Sequence, residues 1–153
     1  MICEDLVTRG WFWCQSATAR VIRFVMMAYE RLRAWRSAHR LAVAVYQTTQ
    51  SFPKSELYGL TSQMRRAAFS IPANIAEGSA KRGPAEFRRF LDVAVGSFAE
   101  VSYALLFSRD VGLLPPTVFD DLEPLRVETG KLTWGLYATI AKRARAASRG
   151  QEL

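Results

Sequence analysis

The sequence is poor in the residues that build metal centres, disulfide scaffolds and nucleophilic active sites. It holds two cysteines, Cys3 and Cys14, and a single histidine, His39. A structural zinc site takes about four Cys or His ligands, so no metal is expected, and no motif for another cofactor is present. A disulfide framework is also excluded as a source of stability, because half of the residues are hydrophobic and a core that apolar needs no staple. Long apolar runs are missing too. The stretch from Trp11 to Tyr29 is broken by Gln15, Arg20 and Arg23, short of the roughly 20 clean apolar residues of a membrane span. Glu4 and Asp5 stand where a signal peptide would be positive. No membrane is expected, and the default compartment is the cytoplasm. No period-two alternation appears, which leaves strands without a signal.

What is present is helical. The length of 153 residues suits one domain. Leu32, Trp35, His39, Ala42 and Tyr46 recur at threes and fours and predict a first helix from Tyr29 to Gln50, ended by Phe52-Pro53. Leu60, Met64, Ala68, Ile71 and Ile75 predict a second helix from Leu60 to Gly78, kinked at Pro72. Gly78 to Gly83 reads as a loop. Pro84 then opens a third helix carrying the heptad-like seam Phe87, Leu91, Ala94, Phe98, Val101 and Leu105, which stops near Gly112. Beyond Pro115-Pro116 a fourth stripe runs through Val118, Leu122, Leu125, Thr129, Leu132, Leu136 and Ile140, weakened by Pro124, Gly130 and Gly135. This helix either starts before Pro124 and bends there, or has Pro124 in its first turn behind an Asp120 or Asp121 cap. Short connections between amphipathic helices predict an all-α, antiparallel up-and-down four-helix bundle. The expected organisation is an N-terminal extension over residues 1–28 outside the bundle, the bundle over 29–141, and a basic tail over 142–153 that frays.

Two features bear on function. The first is a polar stripe on the second helix, Gln63, Arg66, Ser70, Asn74 and Glu77, set among small apolar residues. A helix apolar over most of its circumference should be buried, and buried polar groups are paired. Gln63, Arg66, Asn74, Glu77 and Glu100 are therefore expected to form a structural polar network that fixes register or subunit contact. Arg89 and Tyr103 of the third helix are further candidate partners. No enzyme is expected: Ser70 has no histidine near it in sequence, and Glu77 with Glu100 is a weak carboxylate pair.

The second feature is charge. There are 21 Lys and Arg against 14 Asp and Glu, a net of +7, with Arg in the majority. Solubility alone accounts for such a charge; the planar Arg fork also suits phosphate. The excess is uneven: residues 29–52 and 53–82 are each +3, whereas 83–114 are −1. Arg33, Arg36 and Arg40, spaced three and four apart, with Lys81 and Arg82 in the glycine-bounded loop, are the candidate nucleic-acid contacts. No zinc finger, recognition helix or RNA-binding signature accompanies them, so binding would be backbone-directed and salt-sensitive.

The residues also resemble a known family. The runs Phe52-Pro53-Lys54-Ser55-Glu56-Leu57-Tyr58-Gly59-Leu60, Gln63-Met64-Arg65-Arg66-Ala67 and Ser70-Ile71-Pro72-Ala73-Asn74-Ile75-Ala76-Glu77-Gly78 are similar to those of the bacterial four helix bundle proteins. Glu86-Phe87, Phe90-Leu91, Ala94, Gly96-Ser97 and Glu100 fit as well. These proteins are also called the 23S rRNA intervening-sequence protein family. The likeness covers about Tyr29 to Ile140, and its most specific part is the run from Ser70 to Gly78. It implies a four-helix bundle, a homopentamer, and a kinship with the accessory variability proteins of diversity-generating retroelements, which bind a reverse transcriptase and nucleic acid. Gln63, Arg66, Asn74, Glu77 and Glu100 match the family's polar positions. The combined expectation is a non-enzymatic, oligomeric interaction module for RNA, DNA or a nucleic-acid enzyme such as a reverse transcriptase. The alternative is a structural homo-oligomeric scaffold with a protein partner and no nucleic-acid role. Members begin near the equivalent of Tyr29, which sets residues 1 to about 25 apart.

Overall fold

The structure, a computed structural model, describes residues 28–149. The expected N-terminal extension lies outside the described residues but for Ala28. Four α-helices follow one another: α1 Arg33–Thr48, α2 Leu60–Ser79, α3 Pro84–Asp110 and α4 Pro116–Arg149. A 3-10 turn at Tyr29–Arg31 precedes α1, and two more, Thr49–Ser51 and Lys54–Glu56, carry the chain to α2. No strand occurs among the described residues.

Each helix packs on two others, α1 on α2, α2 on α3, α3 on α4, and α4 back on α1. The short turns make neighbours antiparallel. Cross-helix contacts fix the register: Thr49 beside Arg65 for α1 and α2, Ser70 beside Ser97 for α2 and α3, and Ser37 beside Thr129 for α1 and α4. This is the up-and-down bundle that the periodicity predicts.

The helix ends follow local chemistry. Phe52 is extended, at φ −68° and ψ 146°, because the Pro53 ring disfavours helix at the residue before it. Gly83 takes φ +86°, a conformation L side chains rarely adopt, and Pro84 then supplies the first helical residue of α3. At the other end Gly112 takes φ +76°, and the Leu113 and Leu114 amides both donate to the Ser108 carbonyl at 2.9 Å.

Leu41, Met64, Ile71, Ile75, Leu91 and Leu105 are fully buried at the centre. Burial of one such side chain is worth about 1.5–3 kcal/mol. Two glycines decide how closely the helices approach. A Cβ on Gly78 would stand 2.6 Å from the Phe87 ring, and one on Gly130 would stand 2.7 Å from the Phe98 ring. Phe87 and Phe98 belong to the α3 seam, so the seam's two aromatic knobs sit in holes that only glycine leaves open. Gly130, which weakens a helix in isolation, is here a packing residue.

Helix α4 begins at Pro116 and runs through Pro124, so of the two alternatives the start before Pro124 holds, and Asp120 and Asp121 lie inside the helix. Pro124 and Asp120, whose carbonyl loses its helix donor, are both exposed, so water can satisfy that carbonyl. One expectation changes: over residues 142–149 the basic tail does not fray, because α4 continues to Arg149 and Ala144 is buried. Pro72 lies buried inside α2.

Candidate functional site

Helix order brings distant charges together. The N-termini of α1 and α3 and the C-termini of α2 and α4 lie at one end of the bundle. Residues 28–40, 71–96 and 131–149, which form that half, hold thirteen Lys or Arg against four Asp or Glu, a net of +9. Residues 41–70 and 97–130 form the opposite half, with five Lys or Arg against seven Asp or Glu, a net of −2. The bundle is thus polarised along its axis. Helix dipoles do not create this, since two N-termini and two C-termini meet at each end and largely cancel.

Of the five cations singled out in the sequence, Arg33, Lys81 and Arg82 sit at the basic end and are exposed. Arg33 and Arg82 have no carboxylate within ion-pair distance among the described residues. Lys81 pairs with Glu77 one turn away at 3.1 Å and lies over the Phe90 ring. Arg36 turns back on the chain, its Nε donating to the Glu30 carbonyl at 2.8 Å and its Nη2 to that of Arg31 at 3.3 Å. Arg40 lies farther along α1 and makes a loose pair with Glu128 of α4 at 3.8 Å. The structure therefore gathers four of the five and leaves Arg40 toward the middle.

Sequence reasoning placed four further cations in a tail and gave them no role. Lys142, Arg143, Arg145 and Arg149 occupy the last turns of α4, all exposed and none paired among the described residues. Their signal was legible, a basic run with no acidic residue between 131 and 149. Its meaning required knowing that α4 runs antiparallel to α1, so that its C-terminal half lies at the end of the bundle where α1 starts. Between those two helices Arg31, Arg33 and Lys131 rim a shallow cavity of about 340 Å³ floored by Leu132, Gly135 and Thr139, with no acidic lining residue.

The polar stripe of α2 is arranged otherwise than expected. Gln63, Arg66, Glu77 and Glu100 are exposed in the single chain, so no buried network exists within it. Asn74 donates through Nδ2 to the Ser70 carbonyl at 2.8 Å and to its Oγ at 3.0 Å, and the Ser97 hydroxyl donates to the same Oγ at 2.8 Å. Gln63, Arg66, Ser70, Ser97 and Glu100 line one cleft between α2 and α3, about 350 Å³ in volume. Arg66 and Glu100 share it without pairing. Around it stand exposed apolar side chains, Phe69 at 70% exposure and Tyr103 at 65%. The reason for the difference is geometric. Small residues such as Ala73 and Ala76 neighbour the stripe, but they line the groove toward α1 and stay half-buried, and among the described residues no further helix covers the stripe itself.

Among the described residues the two resolved shifts in proton affinity belong to one pair at the opposite, acidic end. Arg126 hydrogen-bonds the Glu123 carboxylate through Nε at 2.6 Å, and this holds the carboxyl below its ordinary range and raises the guanidinium. Among the described residues no group of three or more His, Cys, Asp or Glu is placed to hold a metal ion.

Helix α3 is long and apolar enough to cross a membrane by length and composition, yet its inner seam packs on α2 and α4. No curated protein matches the chain. The family model described as 23S rRNA-intervening sequence protein matches residues 30–135, the span that contains all four helices but the last turns of α4. The chain belongs to the 23S rRNA-intervening sequence protein family.

Proposed function

We propose that this protein is a non-enzymatic, self-associating bundle that binds the backbone of RNA or DNA through its basic end. The observation that carries the reading is the partition of charge, +9 on one half and −2 on the other. A net charge of +7 spread evenly would be a solubility device. The same charge gathered at one end, with Arg33, Arg82, Arg143, Arg145 and Arg149 unpaired among the described residues, is a surface for phosphates. Nothing on it resembles a base-reading element, so contacts go to the phosphodiester chain.

Self-association supports the affinity. Arg89, Val93, Gly96, Glu100, Tyr103 and Phe107 recur on α3 at fours and threes, and all are exposed. This is a second seam on the helix whose first seam builds the core. Phe69 and the cleft with Arg66 lie beside it. A second copy that covers the seam would bury Phe69 and Tyr103 and give Arg66 and Glu100 partners, which is the subunit-contact role read for the polar stripe. A homopentamer, as the resemblance implies, would repeat the basic end five times and raise avidity without new contacts.

The test compares the two ends. Lys142, Arg143, Arg145 and Arg149 changed together to Gln should cut RNA and duplex DNA binding by at least tenfold at low salt, with helix content unchanged. Lys54, Arg109 and Arg126 changed to Gln at the opposite end should change it less than threefold. Equal losses from both sets would contradict the reading, and no binding by the intact assembly at low salt would favour the protein-partner scaffold.

A further inference from the structure

Beside the basic end, α1 and α2 leave a groove with aromatic walls. Tyr29 of the first 3-10 turn and Trp35, His39 and Tyr46 of α1 stand opposite Phe69 and Pro72 of α2, around a volume of about 400 Å³. That volume is in the range of small-ligand sites. The rings are ordered. Trp35 and His39 are stacked, with centroids 5.2 Å apart and planes 9° from parallel, and Tyr29 leans on Trp35 at 4.6 Å. Trp35 is half-buried, whereas His39 and Tyr46 are exposed. Tyr46 carries the Arg65 guanidinium over its ring at 4.2 Å, and Arg65 is pinned there by donating Nε to the Thr49 hydroxyl at 2.8 Å. Among the described residues no second ring covers His39 or Tyr46. No acidic residue lines the groove, and Arg65 is the cation that lines it among the described residues.

Packing alone does not explain this composition. An aliphatic stripe would cover α2 as well as Trp35 and Tyr46 do, and it would not leave flat π-faces open to solvent. Open aromatic faces beside a guanidinium that no carboxylate neutralises among the described residues are the chemistry that holds unstacked nucleobases, since every base has a π-face and every nucleotide a negative phosphate. The groove runs from Trp35 to Tyr46, eleven residues or about 16 Å of helix, and opens at the basic end.

We infer that the α1–α2 groove takes unpaired bases of the nucleic acid whose backbone the basic end holds, so that the protein prefers single-stranded segments to duplex. The inference rests on the nucleic-acid reading and narrows its substrate class. Bases in a duplex are already stacked and offer no free face, so only the phosphate term remains for them.

The experiment measures binding of the full chain to a 16-nucleotide mixed-sequence RNA and to its blunt duplex, at one salt concentration and corrected for phosphate number. One to two stacked bases should favour the single strand by roughly 5- to 100-fold. The double variant His39→Ala/Tyr46→Ala, at two exposed positions, should bring that ratio near one. An oligonucleotide with abasic sites should bind the native protein no better than duplex. Trp35→Phe, which keeps a ring in the stack, should retain most of the preference. Equal binding of strand and duplex by the native protein overturns the inference and leaves the basic-end reading standing. Failure to bind either oligonucleotide overturns both. Disassembly of the double variant into monomers also overturns it, because the groove is then a contact between copies.

Discussion

The contact between Gly130 and Phe98 offers a sharp test of the packing. A Cβ at Gly130 would lie 2.7 and 2.8 Å from two Phe98 ring atoms, well inside van der Waals contact. Phe98 is wedged between α3 and α4, so ring or helix must move. Two opposite terms then compete in Gly130→Ala. Alanine gains about 1 kcal/mol over glycine inside a helix, while overpacking costs about 1–3 kcal/mol. The net expectation is a loss of roughly 0–2 kcal/mol. The same helix carries its own control: Gly135 has nothing within 4 Å of its would-be Cβ, so Gly135→Ala should gain up to about 1 kcal/mol. In a Phe98→Leu background the obstacle is gone, and Gly130→Ala should become stabilising. Urea titrations of the four members of that cycle give a coupling of about 1–3 kcal/mol in magnitude. If Gly130→Ala stabilises the native background as much as Gly135→Ala does, the close approach of α3 and α4 at this point is wrong.

Further outcomes follow from other contacts. Ser37 and Thr129 share a buried hydrogen bond at 2.8 Å, so Ser37→Ala should cost about 1–3 kcal/mol by chemical denaturation, with Ser37→Ala/Thr129→Val recovering part of it. The Glu123 carboxyl is held down by its bond from Arg126, so its contribution is present above the ordinary glutamate pKa and is lost as pH falls through the lowered one. Arg126→Gln should therefore flatten the acid limb of a stability–pH curve, by no more than about 1 kcal/mol for so exposed a pair. Arg66→Ala and Glu100→Ala, both on the exposed cleft, should leave secondary structure intact yet shift the assembly toward monomer in sedimentation. Unchanged assembly in both would remove the subunit-contact role from the polar stripe.

The helices were legible because their apolar residues recur at threes and fours and their ends carry Pro and Gly. Phe87, Leu91, Ala94, Phe98, Val101 and Leu105 all face the interior as the spacing requires. The start of α4 was less legible, since Pro115, Pro116 and Pro124 each serve as a helix N-terminus and local sequence does not rank them. The role of Gly130 was hidden because propensity reads a glycine alone, while its partner Phe98 lies on another helix. The functional surface was half visible. Arg33, Arg36, Lys81 and Arg82 stood out as local clusters, but Lys142, Arg143, Arg145 and Arg149 join them only through the antiparallel order. The exposure of Gln63, Arg66, Glu77 and Glu100 was not legible, because small apolar neighbours signal burial in either a bundle core or a subunit contact, and one chain's sequence does not separate the two.

The central claim is that phosphates are held by the polarised end, and the salt dependence of affinity measures this most directly. With about four phosphates neutralised per chain, log K for duplex should fall against log salt with a slope of about −3.6 per chain engaged, near 150-fold between roughly 50 and 200 mM. Replacing Lys142, Arg143, Arg145 and Arg149 by Gln should flatten the slope by at least two units. A slope near zero for the native protein, or one that the four replacements leave unchanged, would contradict the account.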